Sequence, residues 1–234
     1  MLFRSIAAVA VFRGDADAMI TGLVGRYETK LDFLRDVLGP QEGSKTAASL
    51  AAINTDNGIY FICDTHVNPD PSAEEIAEIT LLAVKRVRMF GITPRVAMLS
   101  HSAFGSRDDS SACKMRRATE LISQAAPELE VEGEMPADMA ISAEYQKQRF
   151  PNTRLKGPAN LLVMPNLDAA HIAFNFARIV SDAVTIGPML MGLNYPAHVL
   201  TPAASVRRVI NMTAFSVVEA QIYERQKSSE KEAS

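Results

Sequence analysis

Apolar residues along the 234-residue chain recur with two periods, and their alternation is the first pointer to a fold. Short apolar runs of strand length occupy residues 18–23, 58–63, 95–100, 161–165 and 184–189. Several are apolar throughout instead of alternating, as strands covered on both faces are. Amphipathic stretches lie between them. Ser72, followed by Glu74 and Glu75, reads as an N-cap with an acidic first turn. It opens a helix that ends near Gly91, with Ile76, Ile79, Leu82, Ala83 and Val87 on one face. Residues 110–125 and 168–180 predict two more helices. Strand–helix alternation with short links implies a mostly parallel sheet covered by helices. Residues 46–65 differ, reading as two strands joined through NTDNG at 54–58, a hairpin signal that makes the sheet mixed. A last amphipathic stretch, 203–224, places Val206, Val209, Ile210, Val217 and Ile222 near one face, and the charged, small-residue end reads as a flexible tail.

Composition narrows the classes. A net charge of −3 argues against nucleic-acid binding, which needs a basic face or stripe. No apolar run reaches the ~20 residues that span a bilayer, so no membrane partner is expected. The opening MLFRSIAAVAVF lacks a small-x-small cleavage site, and Arg13-Gly14-Asp15 follows at once, so a cytoplasmic location is expected. Cys63 and Cys113 read as reduced, buried or half-buried thiols. Without a C-x-x-C there is no structural zinc signature, and no metal site is expected. Neither a dinucleotide fingerprint nor a Walker loop is present.

The most informative local feature is PRVAMLSHSAFGSRD at 94–108. A strand ends near Ser100 and a helix caps at Asp109, Ser110 or Ser111. The link carries Ser102, Gly105 and Ser106, so it is rich in hydroxyls and backbone N–H groups. A strand feeding such a loop and then a helix N-terminus suits an anion. Lys114, Arg116 and Arg117 add positive charge, while Asp108 and Asp109 oppose it. The competing reading is a plain polar connection, with His101 a surface or packing residue.

Five segments, in order and spacing, resemble the phosphate acetyl/butyryltransferase family: GLVG (22–25), RVAMLSHSAFGS (95–106), VEGEMPAD (131–138), LLVMPNLD (161–168) and IGPMLMG (186–192). PNTRLKGPAN (151–160) and LTPAASVRRVINMT (200–213) bring the resemblance closer to the C-terminal version of this domain in bacterial NADP-dependent malic enzymes. The resemblance implies an α/β fold of two lobes, with mostly parallel or mixed sheets flanked by helices and an isocitrate/isopropylmalate dehydrogenase-like topology. It also implies a CoA cleft between the lobes and a homo-oligomer, at least a dimer. By the same analogy, residues 1–40 and 196–226 belong to the first lobe, 41–195 form the second, and 227–234 are a flexible tail. The family's first lobe has roughly a hundred further residues upstream. NADP, a divalent metal and malate oxidation belong, on this resemblance, to an N-terminal malic enzyme domain of the same polypeptide.

Acetyl transfer between CoA and phosphate needs a base for the thiol, cations for phosphate and donors for the oxyanion. In active family members a Leu-Ser-Arg-Gly turn supplies a donor and an Arg, and an Asp further along is the base. The matching turn here reads Leu200-Thr201-Pro202-Ala203, and the Asp position is Arg208. Arg208 stays protonated and cannot accept a proton. Another phosphate-binding Arg of the family matches Asp32, and a Gln matches Met191. Thr201 and Pro202 read as an N-cap and N1 pair starting the final helix. The expectation is therefore a domain without catalytic residues that binds acetyl-CoA, or a related CoA ester, as an effector. Its candidate contacts are Arg26, Tyr27, Lys30, Ser102, Gly105, Ser106, Arg107, Asn166, Asp168, Thr201 and Arg207. The alternatives are an active phosphate acetyltransferase and a purely oligomerising domain.

Overall fold

The computed structural model describes residues 2–232. They divide into two compact units, one made of 1–47 with 186–234 and the other of 48–185. The expected lobe boundaries, 40/41 and 195/196, therefore sit several residues from the observed divisions at 47/48 and 185/186.

In chain order the first unit begins with α1 (Leu2–Arg13), β1 (Met19–Gly22) and α2 (Tyr27–Leu38). The second holds β2 (Ala48–Thr55), β3 (Gly58–Cys63), α3 (Ala73–Met89), β4 (Arg95–Leu99), α4 (Ser110–Ala125), β5 (Glu130–Met135), α5 (Ala137–Ile141), α6 (Ala143–Arg149), β6 (Leu161–Val163) and α7 (Leu167–Val180). Strand β7 (Val184–Met191) runs across the division, and β8 (Ala197–Leu200) and α8 (Val206–Glu232) complete the first unit.

Within the second unit the strands lie in the order β5-β4-β6-β3-β2. β3, β4, β5 and β6 are parallel, while β2 pairs antiparallel with β3 through the expected hairpin, Thr55 opposite Gly58. The sheet is mixed, as the pattern predicts. The inner strands β3, β4 and β6 are largely apolar because both faces are covered, while β5 carries Glu130, Glu132 and Glu134. Ile62, Ala97, Leu99 and Leu162 point into one cluster with Met139, Ala170 and Phe174. The alternate residues Phe61, Val96, Met98 and Leu161 are equally buried and turn the other way, towards α3 and α4. α3 is built as read: Ser72 Oγ accepts from Glu75 N–H and Glu75 returns a carboxylate to Ser72 N–H, a full capping box.

In the first unit the opening apolar run is α1, which buries Ala8 and Val11. β1 and β8 pair in parallel, Gly22 opposite Leu200. A Cβ at Gly22 would stand 2.2 Å from the Leu200 carbonyl oxygen, and its φ is +140°, so only glycine fits.

Three expectations are corrected here. The apolar residues chosen for the last helix mostly face outward: Val206, Ile210 and Val217 are exposed, and α8 buries Arg208, Met212, Phe215, Ser216, Glu219 and Ala220 instead. Half of that inner face is polar, which hydropathy cannot count. Residues 227–232, expected as a flexible tail, continue α8; 233 and 234 lie outside the described residues. Cys63 is buried, but Cys113 is exposed. Among the described residues, no helix is long and apolar enough to cross a membrane, and no group of three or more His, Cys, Asp or Glu side chains is placed to hold a metal ion.

Candidate functional site

The parallel strands β3, β4, β5 and β6 release their following loops at one edge of the second unit's sheet, where open α/β sheets bind ligands. The serine-rich loop after β4 sits there and does bind an anion, but the anion is the protein's own Glu134, fully buried just inside the end of β5. Ser102 Oγ donates to Glu134 Oε1 at 2.8 Å and Gly105 N–H to the same oxygen at 2.9 Å. Arg116 reaches the carboxylate from α4 through Nε at 3.3 Å and Nη2 at 3.2 Å. Phe104 N–H donates to the Glu134 carbonyl oxygen, and other loop amides close on the loop itself: Ala103 N–H on Ser106 Oγ, Ser106 N–H on Ala103 O, and Arg107 N–H on Ser102 Oγ. Burial raises the Glu134 pKa, and the hydrogen bonds from Arg116, Gly105 and Ser102 more than offset this, holding the carboxyl below its ordinary value. Its partner Arg116 is raised above the usual guanidinium value by Glu134 first and Asp108 second.

Ser102, Gly105 and Ser106, expected to turn their donors to a ligand, here hold Glu134 and shape the loop. The neighbouring cations are engaged as well. Lys114 pairs with Asp70, Arg116 with Asp108 and Glu134, and Arg117 with Glu120. Asp109 caps α4, accepting from Ala112 N–H, and pairs with His101 Nε2 at 2.9 Å. The Ala112 amide first, then His101, keeps the Asp109 carboxyl below its usual range. Asn166 caps α7 through Ala169 N–H, and Asp168 lies exposed in that helix's first turn. Of the four loop candidates, Arg107 alone leaves a long cationic side chain exposed at this edge.

A centre that the sequence pattern does not reveal lies after β3. Asp64, nearly buried, accepts from Ser49 N–H and Oγ (3.0 and 2.6 Å), from the amides of His66, Val67 and Asn68, and from Asn68 Nδ2 (2.6 Å). It ties the loop to β2. Burial, then the Asp64 charge, pushes the adjacent Cys63 thiol far up, so it stays protonated and unreactive. His66 and His171 meet edge to face, ring centroids 5.6 Å apart.

The other candidates belong to the first unit. Gly22 and Leu200 end neighbouring parallel strands, so the loops 23–26 and 201–205 leave from the same end of that pair. Exposed Arg26 stands at the N-cap of α2 and makes no side-chain cap bond, with half-buried Tyr27 and buried Lys30 in the next turn. Thr201 is half-buried, Pro202 and Arg207 are exposed, and Arg208 is only 7% exposed. Thr201 does not cap the last helix: its carbonyl accepts from Ala204 N–H in a turn, and Ser205 Oγ accepts from Arg208 N–H where α8 begins. Asp32 lies exposed beside Arg35, 3.9 Å away. Arg26 and Arg207 are thus the exposed cations on the loops and first helical turns at this end, with Glu28 in the first turn of α2, while Lys30 and Arg208 are buried.

A family model described as phosphate acetyl/butaryl transferase matches residues 3–217. The chain superposes on a phosphotransacetylase from Streptococcus pyogenes with a TM-score of 0.87 and 28% identity, covering 93% of this chain and 67% of that one. Fold and sequence together make the chain a member of the phosphate acetyl/butaryl transferase family. Within it, 217 residues are 52% identical to the NADP-dependent malic enzyme of Escherichia coli, covering 92% of this chain and 29% of that enzyme. A phosphate acetyltransferase from Nitratidesulfovibrio vulgaris is 31% identical over 211 residues, covering 90% of this chain and 30% of the relative. The chain therefore spans under a third of these relatives' length.

Proposed function

We propose that this chain is the CoA-ester-sensing regulatory domain of a malic enzyme, with phosphotransacetylase turnover lost. The observation that carries the reading is Arg208. Where the resembled family places a proton acceptor, this chain has a buried guanidinium that no working pH deprotonates. Thr201 keeps a hydroxyl, but Pro202 brings neither charge nor donor to the turn where the family has an Arg. Loss of a general base and of a phosphate cation each removes orders of magnitude in rate.

Acetyl-CoA is the proposed effector. Arg26, Tyr27, Lys30, Thr201 and Arg207 are its proposed contacts in the first unit. In the complete enzyme, a domain carrying NADP and a divalent metal converts malate to pyruvate and CO2, and acetyl-CoA lowers that turnover by favouring one of two states. A coupling of about 1–3 kcal/mol suffices. The assembly is proposed to be a homo-oligomer in the cytoplasm. Similarity to phosphate acetyltransferases supports the competing reading, an active transferase.

One experiment separates the readings. The purified chain, mixed with acetyl-CoA and phosphate, is expected to release no CoA above background while calorimetry gives saturable heat with acetyl-CoA. Phosphate-dependent CoA release at rates typical of enzymes, about 1–1000 per second, would make it a transferase. Absence of both turnover and heat would leave only an assembly role.

A further inference from the structure

Three rings from separate segments of the first unit, Phe12 of α1, Tyr195 just before β8 and Tyr223 of α8, line a cleft of about 320 Å3. They run in series, with centroids 5.9 and 5.8 Å apart and planes inclined by 56° and 47°, so they make a curved wall and not a flat stack. Phe12 is 55% exposed and both tyrosines are half-buried, which leaves aromatic surface open.

The charges on the lining are unequally matched. Arg13 is held by Asp15, with Nε 3.2 Å from Oδ2. Asp17 and Glu224 are exposed, and among the described residues neither carboxylate has a hydrogen-bond or ion-pair partner. Lys227, the other cation of the lining, sits on neither of them; its Nζ lies over the Tyr223 ring, 5.9 Å from the centroid. With Arg13 balanced by Asp15, two carboxylates face one ammonium, and the cleft is net negative.

Open aromatic faces and unpaired carboxylates both favour organic cations. Lys227 uses the first feature only, near the roughly 6 Å limit at which such contacts count. A planar guanidinium can use both, stacking its face on a ring while its edge N–H groups donate to carboxylate oxygens. We infer that this cleft binds a small guanidinium-bearing molecule, its head on the Tyr195 and Tyr223 rings and its N–H groups donating to Asp17 and Glu224. The volume lies at the small end of the range for ligand pockets, about 300–1000 Å3. Lys227 acts as a tethered competitor that leaves Tyr223 when the ligand arrives. The site takes a cation, so it is separate from the contacts proposed for an anionic CoA ester and does not depend on them.

Proton NMR of the 234-residue chain, titrated with butylguanidinium, tests the inference, with butylurea as a neutral molecule of the same shape. Butylguanidinium is expected to shift the Tyr195 and Tyr223 ring signals saturably, with a Kd of about 1 mM. Butylurea should bind at least about tenfold more weakly. Asp17→Asn combined with Glu224→Gln, both at exposed positions, is expected to weaken butylguanidinium binding about tenfold. Lys227→Ala should tighten it about threefold by removing the competitor. No saturable shift with butylguanidinium would overturn the inference. So would an equal response to butylurea, which would make the cleft a plain apolar surface, or undiminished binding by the double variant. Should the double variant lose its amide dispersion, the unaltered chain is titrated at about 0.05 and 0.5 M salt: carboxylate-driven binding weakens severalfold at the higher concentration, and an unchanged Kd overturns the inference.

Discussion

Glu134 decides how the serine-rich loop should be understood. A loop of hydroxyls and backbone amides before a helix has the composition of an anion site, and the sequence supports that much. It cannot show that a carboxylate from the next strand fills the site, because the partnership spans 32 residues between Ser102 and Glu134. The only hint was VEGEMPAD itself, whose strand carries three glutamates of which Glu134 alone is fully buried. Glu134→Gln is expected to destabilise the chain by about 2–4 kcal/mol, since the buried acceptor loses its charge while Arg116 keeps its own. Urea unfolding measures this. The pH dependence follows from the sign of the shift. A carboxyl held below its unfolded value, about 4.3, stabilises the fold fully above that value and loses the contribution as pH falls through the depressed folded value. The substitution should therefore flatten the stability–pH curve below about pH 4.3. An unchanged curve would mean that Glu134 is not ionised in the folded chain.

Elements were legible where burial alone decides them. α3 announces itself through its capping box and one apolar face, and the β2–β3 hairpin through NTDNG. Helix α8 was legible in extent near its start but not in orientation, because its inner face is tied down by polarity. His198 on β8 accepts Leu190 N–H at Nδ1 and donates from Nε2 to Glu219 Oε2 at 2.7 Å, so one imidazole ties β7, β8 and α8 together. His198 is fully buried and Glu219 nearly so. His198→Leu is expected to cost about 3–5 kcal/mol, because it strips a buried carboxylate of its imidazole partner. Glu219→Gln, which keeps an acceptor, should cost about 1 kcal/mol. Thermal unfolding of both variants checks the ordering, and equal losses would contradict it. The short helices α1 and α2 went unnamed in the sequence. The opening apolar run was weighed only as a leader and set aside, and the apolar positions Leu31, Leu34 and Leu38 of α2 follow directly on a buried lysine, Lys30.

At the scale of the whole molecule, the family was readable because its motifs lie at strand ends and loops, where backbone geometry restricts the residue. The division into units was readable only approximately, since chain continuity through β7 hides the boundary. The second unit rests on a five-strand stretch of mixed sheet covered on both faces, whereas the first rests on two paired strands. Calorimetry is therefore expected to show two transitions on heating, with amides of β1 and β8 exchanging through the earlier one. A single transition whose calorimetric and van't Hoff enthalpies agree would mean that the units unfold as one.

The first unit is also discontinuous, its two pieces separated by residues 48–185. On a ribosome, β1 emerges first and must wait for β8 while the whole intervening unit is made, on the order of ten seconds at ordinary elongation rates. The inserted unit can fold upon emergence. Its host completes itself last, so a stall or truncation during translation would release one finished half and one with nothing to close upon.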